Sequence, residues 1–265
     1  MVNPRFRVYA SSYKQFKSLG HPNYKTVPEN EVLEGHVALA FARDYDSRGK
    51  STHGDFRPYF KITDVTPEDI RRFKNNNSKF KFFLSIGGRS QKYPFSLTID
   101  DVDNAAASLK KIIHNYHFDG IDVYYQHIHP QVQPEQFREV LTQLITRLTS
   151  EFHNLEVSIT VPPPLHDNYY KPLFDDCQEK IHHVIYQTHS AAEKDRVSNV
   201  HQLALKFKGL LYPVDKLFAG YSILDTDWNV VPLPVFRVAV HKLLSDGLVS
   251  GLSDWAAICC DDPEK

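Results

Sequence analysis

The sequence is poor in sulfur, with three cysteines and one methionine among 265 residues. Cys177, Cys259 and Cys260 are too few for a disulfide framework, and an odd count with an adjacent pair suits a reducing compartment. Neighbouring strand residues point to opposite faces, so Cys259 and Cys260 make a weak metal pair. No apolar run approaches the roughly 18 residues of a membrane span, so no membrane role is expected. No continuous apolar stretch follows Met1, so no secretory leader is legible. The expected location is cytoplasmic, and secreted or vacuolar only if a leader has been removed. Asn76-Asn77-Ser78, a formal glycosylation sequon, matters only in that second case. Neither sign of charge dominates: 31 basic and 32 acidic side chains give a formal net charge of -1. That excludes an electrostatic footprint for nucleic acid. Finally, no glycine-rich phosphate loop follows the first apolar run, where the chain reads Tyr9-Ala10-Ser11-Ser12-Tyr13.

What is present is a regular alternation of short apolar runs with longer amphipathic ones. The strands are expected at 6–10, 36–42, 80–86, 120–124, 156–161, 183–188, 216–222 and 251–257. Helical spacing fills the gaps. Thr66-Pro67-Glu68-Asp69 reads as a cap, a first-turn proline and first-turn acids. Ala105, Leu109, Ile112 and Ile113 share a face within 100–116, as do Phe137, Leu141, Leu144 and Leu148 within 134–152. Two more helical stretches lie at 203–211 and 234–244. Parallel strands need crossovers of this length, and eight of them without a phosphate loop favour a (β/α)8 barrel over an open sheet. A single domain over 1–265 is expected. The chain stops at Lys265, so the final covering helix is expected to be missing.

Phe118-Asp119-Gly120-Ile121-Asp122-Val123-Tyr124-Tyr125-Gln126 is the most informative segment. With a period of two, Asp122, Tyr124 and Gln126 project into the barrel and up to its mouth. Barrel enzymes place their chemistry at these C-terminal strand ends.

Here the sequence resembles the family-18 glycoside hydrolases, whose fourth strand carries Asp-x-x-Asp-x-Asp-x-Glu. Asp119 and Asp122 match the first two acids, while Tyr124 and Gln126 replace the third Asp and the catalytic Glu. Ser85-Ile86-Gly87-Gly88 matches the family's third strand. Tyr9, Phe41, Gln187 and Trp255 agree on strands one, two, six and eight. Within the family the chain looks most like the narbonin-like and nodulin-like plant members.

The resemblance implies substrate-assisted hydrolysis in active members, with the Glu protonating the leaving oxygen and the third Asp supporting the acetamido nucleophile. An amide at Gln126 has no carboxylic proton, which removes a contribution of roughly a hundred- to ten-thousandfold. Tyr124 supplies no charge and fills space. His189 stands where active relatives have a substrate-binding tyrosine. The expectation is therefore a catalytically inactive chitinase-like protein with a storage, nodulin-like or development-associated role, needing no cofactor or metal. One alternative is a lectin for N-acetylglucosamine oligomers, its site drawn from Tyr9, Phe41, Gly87, Gly88, Asp122, Tyr124, Gln126, Gln187, His189 and Trp255. The other is an altered glycoside hydrolase acting through Asp122. The opposing view is that these aromatics pack on each other and close the cleft.

Asp119 reads as a cap or barrel-bottom contact, and Asp122 as a buried partner for backbone or Ser85. His127 and His129 lack a third ligand. His114, His117, His182 and His183 read as surface or packing residues. Without a last helix, the seam of strands one and eight, near Arg5, Arg7, Val249 and Ala257, is expected to meet a second copy or a protein partner.

Overall fold

The computed structural model describes residues 5–10, 34–60, 65–188, 199–222 and 233–255. Eight parallel strands form a barrel wall: β1 Arg5–Ala10, β2 Glu34–Arg43, β3 Phe80–Gly88, β4 Gly120–Tyr125, β5 Glu156–Val161, β6 Ile181–Gln187, β7 Leu217–Ser222 and β8 Gly251–Trp255. Each pairs with its neighbours in sequence, and β1 pairs with both β2 and β8, which closes the sheet. A short strand, Arg57–Pro58, adds antiparallel to the end of β2. The eight expected strands all lie on these, with ends displaced by at most two residues, and residues 256–257 of the expected last strand lie outside the described residues.

Six α-helices accompany them among the described residues: α1 Pro67–Asn76, α2 Val102–Tyr116, α3 Pro134–Glu151, α4 Lys171–Cys177, α5 Val200–Gly209 and α6 Leu233–Ser245. The cap at Thr66 is reciprocal. Its hydroxyl accepts from the Asp69 amide at 3.2 Å, and the Asp69 carboxylate accepts from the Thr66 amide at 2.9 Å. Ile99–Asp101 is a 3-10 turn, so α2 opens two residues later than its apolar period suggests. Helix α4 carries no sequence signal of comparable strength. Pro162, Pro163 and Pro164 interrupt the period, and the chain makes a 3-10 turn and a wider turn before seven helical residues follow.

The alternation of each strand divides the apolar residues into two layers. Val8, Val37, Leu84, Val123 and Ile159 face outward and pack against Leu109 and Ile112 of α2 and Leu141 and Leu144 of α3. Tyr9, Ala38, Ala40, Phe41, Phe83 and Tyr124 form a separate inner cluster. A register shift between Ala40 and Ala42 in β2 brings Phe41 into phase with the inner face.

Arg7, expected on the outer face of β1, instead points into the barrel and is fully buried. It is in phase with Tyr9, while Phe6 and Val8 take the helix-facing positions. Val249 and Leu252 at the same seam belong to the buried outer layer. The expected absence of a last helix concerns residues 256–265, with Ala257, Cys259 and Cys260, which lie outside the described residues.

Candidate functional site

Three layers of side chains fill the barrel. The middle one centres on Asp122, placed between Ser85 of β3 and Ser158 of β5 by strand register. Asp122 Oδ1 accepts from Arg7 Nη1 at 3.0 Å, Ser158 Oγ at 2.7 Å and Thr160 Oγ1 at 2.9 Å. Its Oδ2 accepts from Ser85 Oγ at 2.8 Å and from the Tyr9 hydroxyl at 3.1 Å. Burial, and then the Asp122 charge, push the Tyr9 phenol well above its ordinary pKa, so the hydroxyl stays protonated. Arg7 and Asp122 are both fully buried, and the Arg7 guanidinium also lies 4.3 Å from the Phe83 ring centroid. All the hydrogen-bonding capacity of this carboxylate is spent within the barrel wall.

The lower layer lies towards the N-terminal strand ends. Lys81 Nζ sits between two carboxylates, 2.6 Å from Glu34 and 2.5 Å from Glu156. His36 Nε2 is 2.7 Å from Glu34 and His183 Nε2 is 2.9 Å from Glu156, with the two ring centroids 4.6 Å apart. Burial holds His36 at a pKa of about 3 and His183 at about 4. Burial also works to raise Glu34 and Glu156, but hydrogen bonds from the histidines and Lys81 outweigh it and hold each at about 2.

Glu34, His36, Glu156 and His183 present four donor atoms within 4.8 Å of one another, a metal-like set that sequence reasoning did not assemble. Two features oppose a metal here. Lys81 already supplies the cation. Arg7 Nη2 lies 3.3 Å from His36 Nδ1, and an arginine only donates, so Nδ1 must accept and Nε2 must carry the proton that Glu34 receives. No lone pair is then left at Nε2. The structure also corrects the reading of His183 as an ordinary packing histidine, since it is a buried member of this charged network. The available signal was a polar residue at alternate positions of several apolar strands: Arg7, His36, Ser85, Asp122, Ser158 and His183.

Above Asp122 lies the mouth. Tyr124, fully buried, stands 6.3 Å from the Tyr9 ring and 5.7 Å from the Phe41 ring, centroid to centroid. Its hydroxyl donates to Gln126 Oε1 at 2.9 Å, so the two replaced motif positions bond to each other. Gly87, at φ +91°, lets β3 approach β4: a Cβ there would fall 2.4 Å from the Tyr124 carbonyl oxygen. Gly88 lies against the Phe41 ring. The structure thus gathers Tyr9, Phe41, Gly87, Gly88, Asp122, Tyr124 and Gln126.

Gln187 lies beside Tyr9 in a shallow depression with Thr160, Ile185, Gly220, Tyr221 and Ser253. Gln187 is 1% exposed, and among the described residues neither its Oε1 nor its Nε2 has a hydrogen-bond partner. His189 and the Trp255 side chain lie outside the described residues. Asp119 belongs to the opposite end, accepting from the Phe82 amide at 2.7 Å and from Lys74 Nζ at 2.7 Å.

Residues 8–229 match the family model of glycosyl hydrolases family 18. The chain is 29% identical to the RuBisCO-associated protein of Glycine max, over 95% of this chain and 91% of that one. It is equally, 29%, identical to Chitinase 1 of Tulipa saxatilis subsp. bakeri, over 95% of this chain and 80% of that one. The catalytic domain of a family GH18 chitinase from the fern Peteris ryukyuensis has the same fold, with a TM-score of 0.79 and 26% identity over 96% and 92% of the two chains.

Proposed function

The chain belongs to the glycosyl hydrolases of family 18, and from that premise we propose that it is a non-catalytic, chitinase-like barrel used for contact rather than turnover. The observation that carries this reading is the Tyr124–Gln126 hydrogen bond over a closed aromatic cluster. Hydrolysis of the family's kind needs a carboxylic acid at the leaving oxygen and a carboxylate beside the acetamido group. An amide and a phenol bonded to each other supply neither. Asp122 offers no substitute, being fully buried and committed to Arg7 and four hydroxyls.

Binding of chito-oligosaccharide without hydrolysis is the second reading, and Gln187 favours it. Its amide is buried with both polar atoms unmet among the described residues, the state of a side chain awaiting a polar partner. Tyr9, Phe41, Gly88, Gln126, His189 and Trp255 would complete such a site.

A storage, nodulin-like or development-associated role rests on the family likeness, and the small sulfur content makes the chain a poor sulfur reserve. The name of the Glycine max relative, RuBisCO-associated protein, describes association with another protein, which agrees with a contact role. The β1–β8 seam is our candidate for a contact with a partner or a second copy, and a cytoplasmic location our candidate compartment. A strictly monomeric sedimentation profile at high concentration would remove the second copy.

The deciding experiment is calorimetric titration with chito-oligosaccharides beside a hydrolysis assay, run on the wild type and on the Tyr124→Asp, Gln126→Glu double variant. Neither turnover nor saturable heat is expected from the wild type. Saturable heat without turnover would select the second reading, and turnover by the wild type would overturn both.

A further inference from the structure

Arg43 closes β2 at the barrel mouth, two residues beyond Phe41 and in phase with it. Its guanidinium carbon lies 4.5 Å from the Tyr93 ring centroid, 5.4 Å from Tyr59 and 5.7 Å from Phe41. These rings are themselves fixed. Tyr59 donates to the Tyr45 carbonyl, Tyr45 donates to the Pro94 carbonyl at 2.6 Å, and the Tyr45 and Tyr93 rings stand 5.3 Å apart.

What the guanidinium lacks is an acceptor. Among the described residues Arg43 has no hydrogen bond and no carboxylate partner, and its Nε is buried and unmet. Arg48 and Arg72, which also lack ion pairs among the described residues, are exposed to solvent. Arg43 is only partly exposed, so its unmet donors cost more. The neighbouring Asp44 does not serve it. That carboxylate is buried, and the groups acting on it are its own amide, the Gly54 amide, Asp101 and His53. Nor do the motif positions, where Tyr124 and Gln126 are neutral and Asp122 is matched by Arg7.

We propose that the β2–β3 rim of the mouth is an oxyanion receptor, in which Arg43, held by Phe41, Tyr59 and Tyr93, binds the carboxylate or phosphate of a small ligand. Ring faces occupy the guanidinium face and leave the Nη edge for a paired, in-plane acceptor. The proposal rests on the non-catalytic reading, because a carboxylate pair working at the mouth would repel such a ligand.

The test is titration of the wild-type protein at constant ionic strength with glucuronate, with inorganic phosphate and with neutral N-acetylglucosamine trimer. It is followed by calorimetry and by the arginine Nε–H resonances in NMR. Saturation by glucuronate or phosphate, with a shift of the Arg43 Nε–H signal, is expected. Saturation by glucuronate alone identifies a carboxylate ligand, and saturation by both a general oxyanion site. Arg43→Gln is expected to weaken binding roughly ten- to hundredfold, and Arg43→Lys to recover only part, because it restores charge without the fork. Should Arg43→Gln fail to fold, the wild-type Nε–H shift and the Lys variant still decide. An unmoved Arg43 signal, or glucuronate and phosphate affinities equal in wild type and Arg43→Gln, would overturn the proposal. Hydrolysis of the trimer would overturn the non-catalytic reading instead, whatever Arg43 does.

Discussion

The floor and the mouth of this barrel are built from the same strands but handle polarity in opposite ways. At and below Asp122 the charged side chains meet one another: Arg7 with Asp122, Lys81 with Glu34 and Glu156, and a histidine on each glutamate. Above it, Tyr124 and Gln126 form a neutral pair, Gln187 has no partner among the described residues and Arg43 rests on ring faces. In barrels of this kind the N-terminal face serves stability and the C-terminal face serves function. Paired charges at the floor are explained by the protein alone. Unmet donors at the mouth are not accounted for by the described residues.

The largest effect that would sharpen this contrast is expected at its centre. Asp122→Ala leaves a fully buried guanidinium unmatched and strands the hydroxyls around it, so a loss of about 3–5 kcal/mol is expected in denaturant unfolding. A loss under about 1 kcal/mol would mean that the layer does not anchor the barrel.

Acid should attack the floor next. His36 and His183 are held at about 3 and about 4 in the folded protein, below the ordinary histidine value. The unfolded chain therefore takes up protons first, and stability is lost as pH falls from about 6.5 towards 4, by up to about 1.4 kcal/mol per histidine per pH unit. The depressed Glu34 and Glu156 extend the loss from about pH 4.5 downwards. Urea unfolding at pH 7, 6 and 5 reads the slope, which His183→Gln should reduce by about half. An unchanged slope in that variant would place the acid sensitivity elsewhere.

The floor was the less legible end in sequence. The strand pattern and the Ser85–Gly88 and Asp119–Gln126 segments were readable because a period of two and a motif are both local. A charged network such as Glu34, His36, Lys81, Glu156 and His183 joins four strands, and its members are at most marked as polar residues in apolar runs. Arg7 was misplaced for this reason: its two neighbours are apolar, and nothing local says that Asp122, 115 residues later, supplies its partner. At the mouth the Tyr124 and Gln126 replacements were visible, but their mutual bond was not. The unmet state of Gln187 and of Arg43 likewise depends on what the other strands fail to place beside them.

A smaller effect, opposite in sign, is expected from Gln187→Leu. Replacing a buried amide whose two polar atoms have no partner among the described residues by an apolar group of similar size should raise stability by about 1–2 kcal/mol. The same variant separates the two readings of the mouth, because a sugar site that uses Gln187 would lose affinity as the protein becomes more stable. Destabilisation by Gln187→Leu would show that the amide is met in solution, by water or by chain.

The smallest effect is expected where the two replaced motif residues touch. Tyr124→Phe keeps the ring that packs against Phe41 and Tyr9 and removes only the hydroxyl that Gln126 accepts. Gln126 is partly exposed, so water can take over its Oε1, and the cost should be about 1 kcal/mol, the ordinary net value of one hydrogen bond. Set beside Asp122→Ala, two positions away on the same strand and the same face, this variant measures the contrast directly. Equal losses at the two positions would mean that the mouth is held as tightly as the floor. The Tyr124–Gln126 bond would then be a structural lock, and the closed cleft part of the barrel's stability rather than a by-product of the two replaced motif positions.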